Sequence, residues 1–178
     1  MQQNQLILMS ILLLATLLNG VQCADKEPST EVKQCSGSKP FPLEVRVHGC
    51  VTPPCNVFKG TDAIFEIDFA VDKFITNMTT LVKATTLGII TVPYELPEDV
   101  ADVCTNLMYG AYCPVYPTED VTYLFQFPVG EYPEIGVKIE IYLADQDGDV
   151  ATCFVCDIKV KKNTGSTKMY ELDFLNRK

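Results

Sequence analysis

The stretch TCFVCDIKV at residues 152–160 decides the fold of this chain, because its apolar and polar side chains alternate. After Thr152, one face carries Phe154, Cys156, Ile158 and Val160, all of them apolar. The opposite face carries Cys153, Val155, Asp157 and Lys159, so Cys153 shares its face with the charged side chains. A period of two is typical of a β-strand that buries one face and exposes the other. The stretch therefore predicts a half-buried strand.

The same alternation recurs along the chain. It is clearest at residues 43–47, 63–71, 121–127 and 137–143, whereas residues 79–90 mix threonine with aliphatic side chains. Asp147-Gly148 stands between two alternating runs and is typical of a hairpin turn. About seven short strands with no helical segment between them predict an all-β, immunoglobulin-like antiparallel sandwich of two sheets.

The amino-terminal residues 1–23, MQQNQLILMSILLLATLLNGVQC, are typical of a secretory signal peptide. Their apolar run is shorter than the about 20 residues that a membrane-spanning helix needs. Small residues at 21 and 23 predict cleavage before Ala24. We therefore expect secretion to the extracellular space or delivery to the lysosomal lumen. Residues 24–162 have the length of one domain, and the polar residues 163–178 predict a loosely docked or disordered tail.

The acidic composition restricts the partners of the chain. The formal net charge is −9, and the residues expected to be removed carry no charged side chain. A surface of this charge repels nucleic acid, and no cluster of basic residues in the sequence would hold the chain on an anionic membrane. We therefore expect partners that are neutral molecules or basic surfaces.

The chain has eight cysteines, and seven remain after removal of residues 1–23. In a compartment that oxidises thiols, three disulfides and one free thiol form the simplest arrangement. Cys50 with Cys55, and Cys104 with Cys113, are close in sequence, so each pair predicts a local disulfide.

The remaining partner of Cys35 is Cys153 or Cys156. Because Cys156 lies on the apolar face of its predicted strand and Cys153 on the polar face, we predict a Cys35–Cys153 disulfide and a buried free thiol at Cys156. A redox-active Cys-x-x-Cys pair is disfavoured, since two strand residues three positions apart point to opposite faces and cannot form a bridge.

Two short motifs suggest a metal site and a glycan. Residues 145–149, DQDGD, resemble the opening of a calcium loop, but the glycine and the bidentate glutamate do not follow at the required positions. We interpret them as a solvated hairpin turn and expect no metal. Asn77-Met78-Thr79 is a complete acceptor sequence for N-glycosylation, which predicts an exposed turn at Asn77.

Residues that could support catalysis are few. His48 is the only histidine and lies on the polar side of a predicted strand, and no Gly-x-Ser-x-Gly motif occurs. Glu66 and Asp68 alternate with core residues, so we interpret them as solvated carboxylates on an outer face. The sequence therefore predicts no catalytic residues and no cofactor.

Five short segments, in their order and spacing, resemble the ML lipid-recognition family, in particular its Niemann-Pick type C sterol-binding branch. They are CVTPPC at 50–55, VPYELP at 92–97, CPV at 113–115, FPVGEYP at 127–133 and CF at 153–154. The resemblance covers residues 35–160. It implies a sandwich with an apolar cavity between its sheets, and it implies the same cysteine pairing.

The resemblance also implies which residues bind a ligand. Tyr94 would lie at the entrance of the cavity, and Val129 and Tyr132 would line its mouth. The side chains that would project into the cavity are those of Phe65, Ile67, Val82, Tyr123, Phe127, Ile141 and Phe154. From the alternation alone an ordinary filled core is expected, and the resemblance favours the cavity.

The function implied is that of a monomeric carrier, without catalysis, that binds and transports a sterol or related lipid and makes transient contact with a membrane or receptor. Tyr94-Glu95 makes the entrance more polar than is usual in the sterol carriers. Fatty acids and small hydrophobic semiochemicals therefore stay as alternative ligands. A lipid-presenting co-receptor or recognition protein of innate immunity is the alternative function.

Overall fold

The structure is a computed structural model and describes residues 26–163. The predicted signal peptide, and all but the first residue of the predicted tail, lie outside this range. The strands are β1 (Lys33–Gln34), β2 (Glu44–Val47), β3 (Cys55–Phe58), β4 (Asp62–Ala70), β5 (Met78–Thr86), β6 (Ile90–Tyr94), β7 (Asp120–Pro128), β8 (Gly136–Asp145) and β9 (Val150–Lys161). A short helix α1 (Glu98–Ala101) and a 3-10 turn (Cys104–Asn106) lie between β6 and β7. In residues 26–163 no helix has the length and apolarity needed to cross a bilayer.

Two sheets form the sandwich. The larger has the strand order β1-β9-β8-β5-β6, and β3 also pairs with β9. The smaller has the order β2-β4-β7. Every pair is antiparallel except β3 with β9, which is parallel with Cys55 opposite Ile158. The predicted all-β sandwich of two sheets is confirmed, and the parallel pair and helix α1 are additions that the alternation did not predict.

The disulfides fasten the edges of this sandwich. They join Cys35 to Cys153, Cys50 to Cys55 and Cys104 to Cys113, which are the predicted pairs. The first joins residues 118 positions apart and attaches the segment around β1 to β9. In the chain-entropy model a loop of that length stabilises the fold by about 4 to 5 kcal/mol. Cys156 is a free, fully buried cysteine, and burial raises the pKa of its thiol to about 12.

The hairpin between β8 and β9 turns at residues 146–149, with Gly148 at φ +82°. One carboxylate oxygen of Asp145 accepts hydrogen bonds from the backbone N–H groups of Asp147 and Asp149, at 2.8 and 3.0 Å. Lys73 Nζ lies 2.5, 3.4 and 2.7 Å from the carboxylates of Asp145, Asp147 and Asp149. The carboxylates that resemble a calcium loop thus surround an ammonium group.

The outer face of the smaller sheet differs from the expected solvated surface, because Arg46 is only 1% exposed. Its guanidinium lies 3.0 Å from Glu66 and 3.0 Å from Asp68, so these carboxylates are ion-paired instead of solvated. Burial alone would raise the pKa of Asp68, but hydrogen bonds from Arg46, Thr122 and Lys26 lower it to about 2. The alternation placed Glu66 and Asp68 on the outer face but could not predict their ion pairs with Arg46 on β2.

Candidate functional site between the two sheets

The predicted ligand-binding side chains meet between the sheets because their strands are in register. In the smaller sheet Ile67 lies opposite Tyr123. In the larger sheet Ile141 lies opposite both Val82 and Phe154. Together with Phe65 and Phe127, these side chains belong to one apolar cluster, and each is at most 3% exposed. The seven residues expected inside the sandwich are therefore brought together.

Aromatic rings bridge the two sheets. The ring of Phe65 on β4 lies 6.4 Å from the ring of Phe154 on β9, and 6.4 Å from that of Phe127 on β7. Phe125, which the resemblance did not mark, is also fully buried and lies 5.9 Å from Phe65, Tyr123 and Phe127. These separations are those of interacting rings. The alternation at residues 121–127 already placed Phe125 on this face, so the sequence contained the signal.

The side chains expected to line the predicted cavity pack against one another in the interior, and each is at most 3% exposed. Two concavities lie elsewhere on the surface. One of about 520 Å³ lies beside Leu43 and Asp68, and one of about 410 Å³ lies beside Tyr112 and Tyr116. Neither is lined by any predicted ligand-binding residue.

The predicted entrance is a cluster of rings at one end of the sandwich. The ring of Tyr94 lies 4.9 Å from that of Phe127 and 6.1 Å from that of Tyr132. Tyr94 donates a hydrogen bond from its hydroxyl to the carbonyl of Pro128 at 2.6 Å, and burial raises the pKa of this phenol. Tyr132 is 49% exposed, so it forms the outer rim of the cluster.

Backbone hydrogen bonds fix the loop that carries the mouth residues. Val129 donates its N–H to the carbonyl of Thr61, and its own carbonyl accepts the N–H of Gly60. The ring of Tyr132 lies against Gly130, where an added Cβ would come within 2.7 Å of that ring. Glycine at 130 therefore lets the tyrosine ring pack against the backbone. Val129 is buried, at 5% exposure.

A polar pair lies in the interior, among the apolar side chains. The hydroxyl groups of Tyr123 and Thr80 lie 2.7 Å apart, and Tyr123 also donates to the carbonyl of Val100 at 3.2 Å. Burial raises the pKa of Tyr123, so its phenol stays protonated at neutral pH. Sequence reasoning missed Thr80, because the threonine-rich run at residues 79–90 showed no clean polar face.

Other positions singled out in the sequence lie away from this site. His48 follows β2, and its ring lies 3.5 Å from the Glu27 carboxylate. Asn77 is exposed and directly precedes β5, as a strand-end acceptor sequence requires. Nothing in the interior site combines a nucleophile with a base, and its chemistry is that of an apolar binding site.

Comparison with known proteins identifies relatives. The family model described as the ML domain matches residues 29–160. The NPC intracellular cholesterol transporter 2 of Mus musculus is 29% identical over 153 residues, which covers 85% of this chain and 99% of that protein. The homolog a of that transporter in Drosophila melanogaster is 29% identical over 134 residues, covering 74% and 87%. The crystal structure of a Niemann-Pick type C2 protein from Japanese carpenter ant matches with a TM-score of 0.62 at 17% identity, covering 74% and 99%, and shows the same fold.

Proposed function

The chain belongs to the ML domain family, and on that premise we propose that it is a non-enzymatic carrier that binds a sterol or related lipid between its two sheets. The observation that carries this proposal is the continuous belt of aromatic rings from Tyr132 at the surface to Phe154 in the interior. The relatives named as cholesterol transporters support the sterol class.

Binding requires the sheets or their side chains to move. A ligand would enter past Tyr132, displace the ring of Tyr94 and separate Phe65 from Phe154. Its insertion replaces ring-to-ring contacts with ring-to-ligand contacts, so the apolar interior stays shielded from water. Enclosing several hundred Å² of apolar ligand surface is worth roughly 10 kcal/mol before the costs of association. The proposal therefore predicts micromolar to nanomolar affinity, which suits a reversible carrier.

The hairpin between β5 and β6 supports the expected transient contact with a membrane. Leu87 and Ile89 at its tip are 84% and 82% exposed, and Ile90 is 52% exposed. Exposed aliphatic side chains that lie together commonly mark a contact surface. Tyr94 of the entrance belongs to the same hairpin, so this tip would place the mouth near a lipid source.

We also propose that the chain follows the secretory pathway. Residues 1–23 would be removed on secretion, Asn77 would carry a glycan, and the mature protein would act as a monomer outside the cell or in the lysosomal lumen. The three disulfides fit an oxidising compartment.

Native mass spectrometry of protein from its own source, with solvent extraction of the bound molecule, tests the proposed function. We expect one sterol per chain, released unchanged. A fatty acid in that place would shift the ligand class but keep the carrier. Protein that carries no lipid, and that takes up neither sterol nor fatty acid from solution, would contradict the proposal.

A further inference from the structure

The outer face of the larger sheet carries a line of lysines that are far apart in the sequence. Lys83 lies on β5, Lys138 on β8, and Lys159 and Lys161 on β9. Each follows or precedes an inward-facing apolar residue in its strand, and Lys138 and Lys159 are exposed. We call these four residues the lysine track. The sequence contains no local basic cluster here, and only the pairing of the strands creates one.

Strand register makes the track a diagonal line. Lys83 lies opposite Glu140, which is two residues from Lys138 on the same strand. Lys138 lies opposite Asp157, which is two residues from Lys159. Diagonal neighbours on one face are about 7 to 8 Å apart, and residues two apart in a strand are about 7 Å apart. The lysine track therefore crosses three strands in even steps and spans about 20 Å.

The charge of the track is not cancelled locally. In the described part of β5, β8 and β9, the acidic side chains on this face are Glu140 and Asp157. Glu140 lies 2.8 Å from Lys39, and Asp157 lies 2.5 Å from Lys33, so two further lysines neutralise them. Lys83 also approaches Glu140, at 3.9 Å. Glu134 is a third nearby carboxylate, since it lies just before β8, beside the hydrogen bond from Val160 N–H to the carbonyl of Ile135. Six lysines, with Lys33 and Lys39 included, thus lie near three carboxylates, a local excess of three positive charges.

The net charge of −9 does not prevent an anion from binding there. At physiological ionic strength the Debye length is about 8 Å, so an anion on the track responds to the nearby lysines more than to distant carboxylates. The acidic groups of the smaller sheet, among them Glu66 and Asp68, lie on the opposite side of the sandwich and are bound to Arg46.

From this arrangement we propose that the lysine track binds a linear sulfated polysaccharide. A single row of evenly spaced ammonium groups fits a chain that carries an anionic group at each repeat. The track contains no arginine, which provides the bidentate contacts typical of phosphate and nucleic acid recognition. It also presents no free aromatic face for base stacking, since Lys39 and Lys83 lie 5.1 and 5.2 Å from the Tyr142 ring. This surface is separate from the interior lipid site.

Binding to immobilised heparin tests the proposal on the full secreted chain. We expect the protein to be retained at low salt and released as NaCl rises, because ion contacts are screened. The double variant Lys138→Gln, Lys159→Gln should bind heparin about fivefold to tenfold more weakly at constant salt. A control with the same change in net charge is Thr52→Glu, Thr105→Glu, at exposed positions away from the track. It should bind like the unmodified protein.

The proposal is overturned if the unmodified chain passes heparin without retention at low salt, or if the track variant and its charge-matched control bind equally. A membrane would be the occupant instead if heparin binding is unchanged while binding to vesicles with phosphatidylserine is lost in the track variant. Lipid uptake should be the same in all these proteins. Heparin binding therefore tests the lysine track, and lipid uptake separately tests the proposed interior lipid site.

Discussion

Tyr94 and Pro128 connect the two sheets at the predicted entrance, through a 2.6 Å hydrogen bond from the tyrosine hydroxyl to the proline carbonyl. Tyr94 ends β6 at the edge of the larger sheet, and Pro128 ends β7 at the edge of the smaller one. On the proposed function, a ligand that enters between the sheets at this end would break this hydrogen bond, so the bond is expected to slow entry.

Replacing Tyr94 by Phe removes this bond and keeps the ring. We expect faster uptake and faster release of a fluorescent sterol, each by about threefold to tenfold, since a bond of this kind contributes about 1 kcal/mol. Stopped-flow mixing measures both rates. Tyr109→Phe, at a tyrosine that is 79% exposed, is the matched control. Rates equal to those of the control would show that the bond does not restrict entry.

Two substitutions test whether the predicted mouth residues bind the ligand: one removes a side chain and the other introduces a charge. Tyr132→Ala and Val129→Asp should both weaken sterol binding, by about tenfold or more for the buried charge, because Val129 is only 5% exposed. Tyr112→Ala, at an exposed tyrosine beside the 410 Å³ concavity, is the control. Circular dichroism checks that each variant is folded. Unchanged binding in both mouth variants would mean that the mouth lies elsewhere.

Thiol labelling tests the cysteine arrangement. Cys156 is buried, and its thiol pKa of about 12 leaves almost no thiolate at pH 8. We expect no labelling of the folded protein and labelling of Cys156 alone in denaturant without reductant, as read by peptide mapping. Modification of Cys153 in either state would contradict the Cys35–Cys153 disulfide.

The ion pairs of Arg46 predict how stability changes in acid. The pKa of Asp68 is lowered from 3.8 to about 2, so its contribution is present above pH 4 and is lost as the pH falls toward 2. After allowance for screening by solvent, we expect a loss of about 1 to 2 kcal/mol in the free energy of unfolding. Denaturant unfolding at several pH values measures it. Asp68→Asn should flatten this part of the profile, whereas Glu134→Gln, at an exposed carboxylate, should leave it unchanged. If Asp68→Asn and the unmodified protein lost stability equally in acid, Asp68 would not be the group responsible.

The sequence predicted those parts of the molecule that depend on neighbours along the chain. Alternation within residues 152–160 identified a strand and separated Cys153 from Cys156. Alternation cannot distinguish a filled core from a cavity, however, because both need apolar side chains such as Phe65 and Phe154 to face inward. Only the resemblance supplied the cavity, and the structure shows its lining in contact.

Side-chain partners that depend on the register between strands could not be predicted, although the long-range Cys35–Cys153 disulfide was. Glu66 and Asp68 looked like solvated carboxylates because their partner Arg46 lies on a different strand, which meets theirs only in the fold. The lysine track is a similar case, since Lys83 and Lys138 are 55 positions apart in the sequence and become neighbours through the register of β5 and β8. The net charge can be read from the sequence, but the positions of the charged side chains on the folded surface cannot.

On the proposed function, the space between the two sheets opens to admit a lipid. The chain has no tryptophan, so Phe154→Trp introduces a single fluorophore in that space. We predict that titration with sterol changes its emission saturably, with one ligand per chain, in protein whose fold is intact. Emission that stays constant while the ligand binds to the protein would place the lipid outside the sandwich and contradict the account.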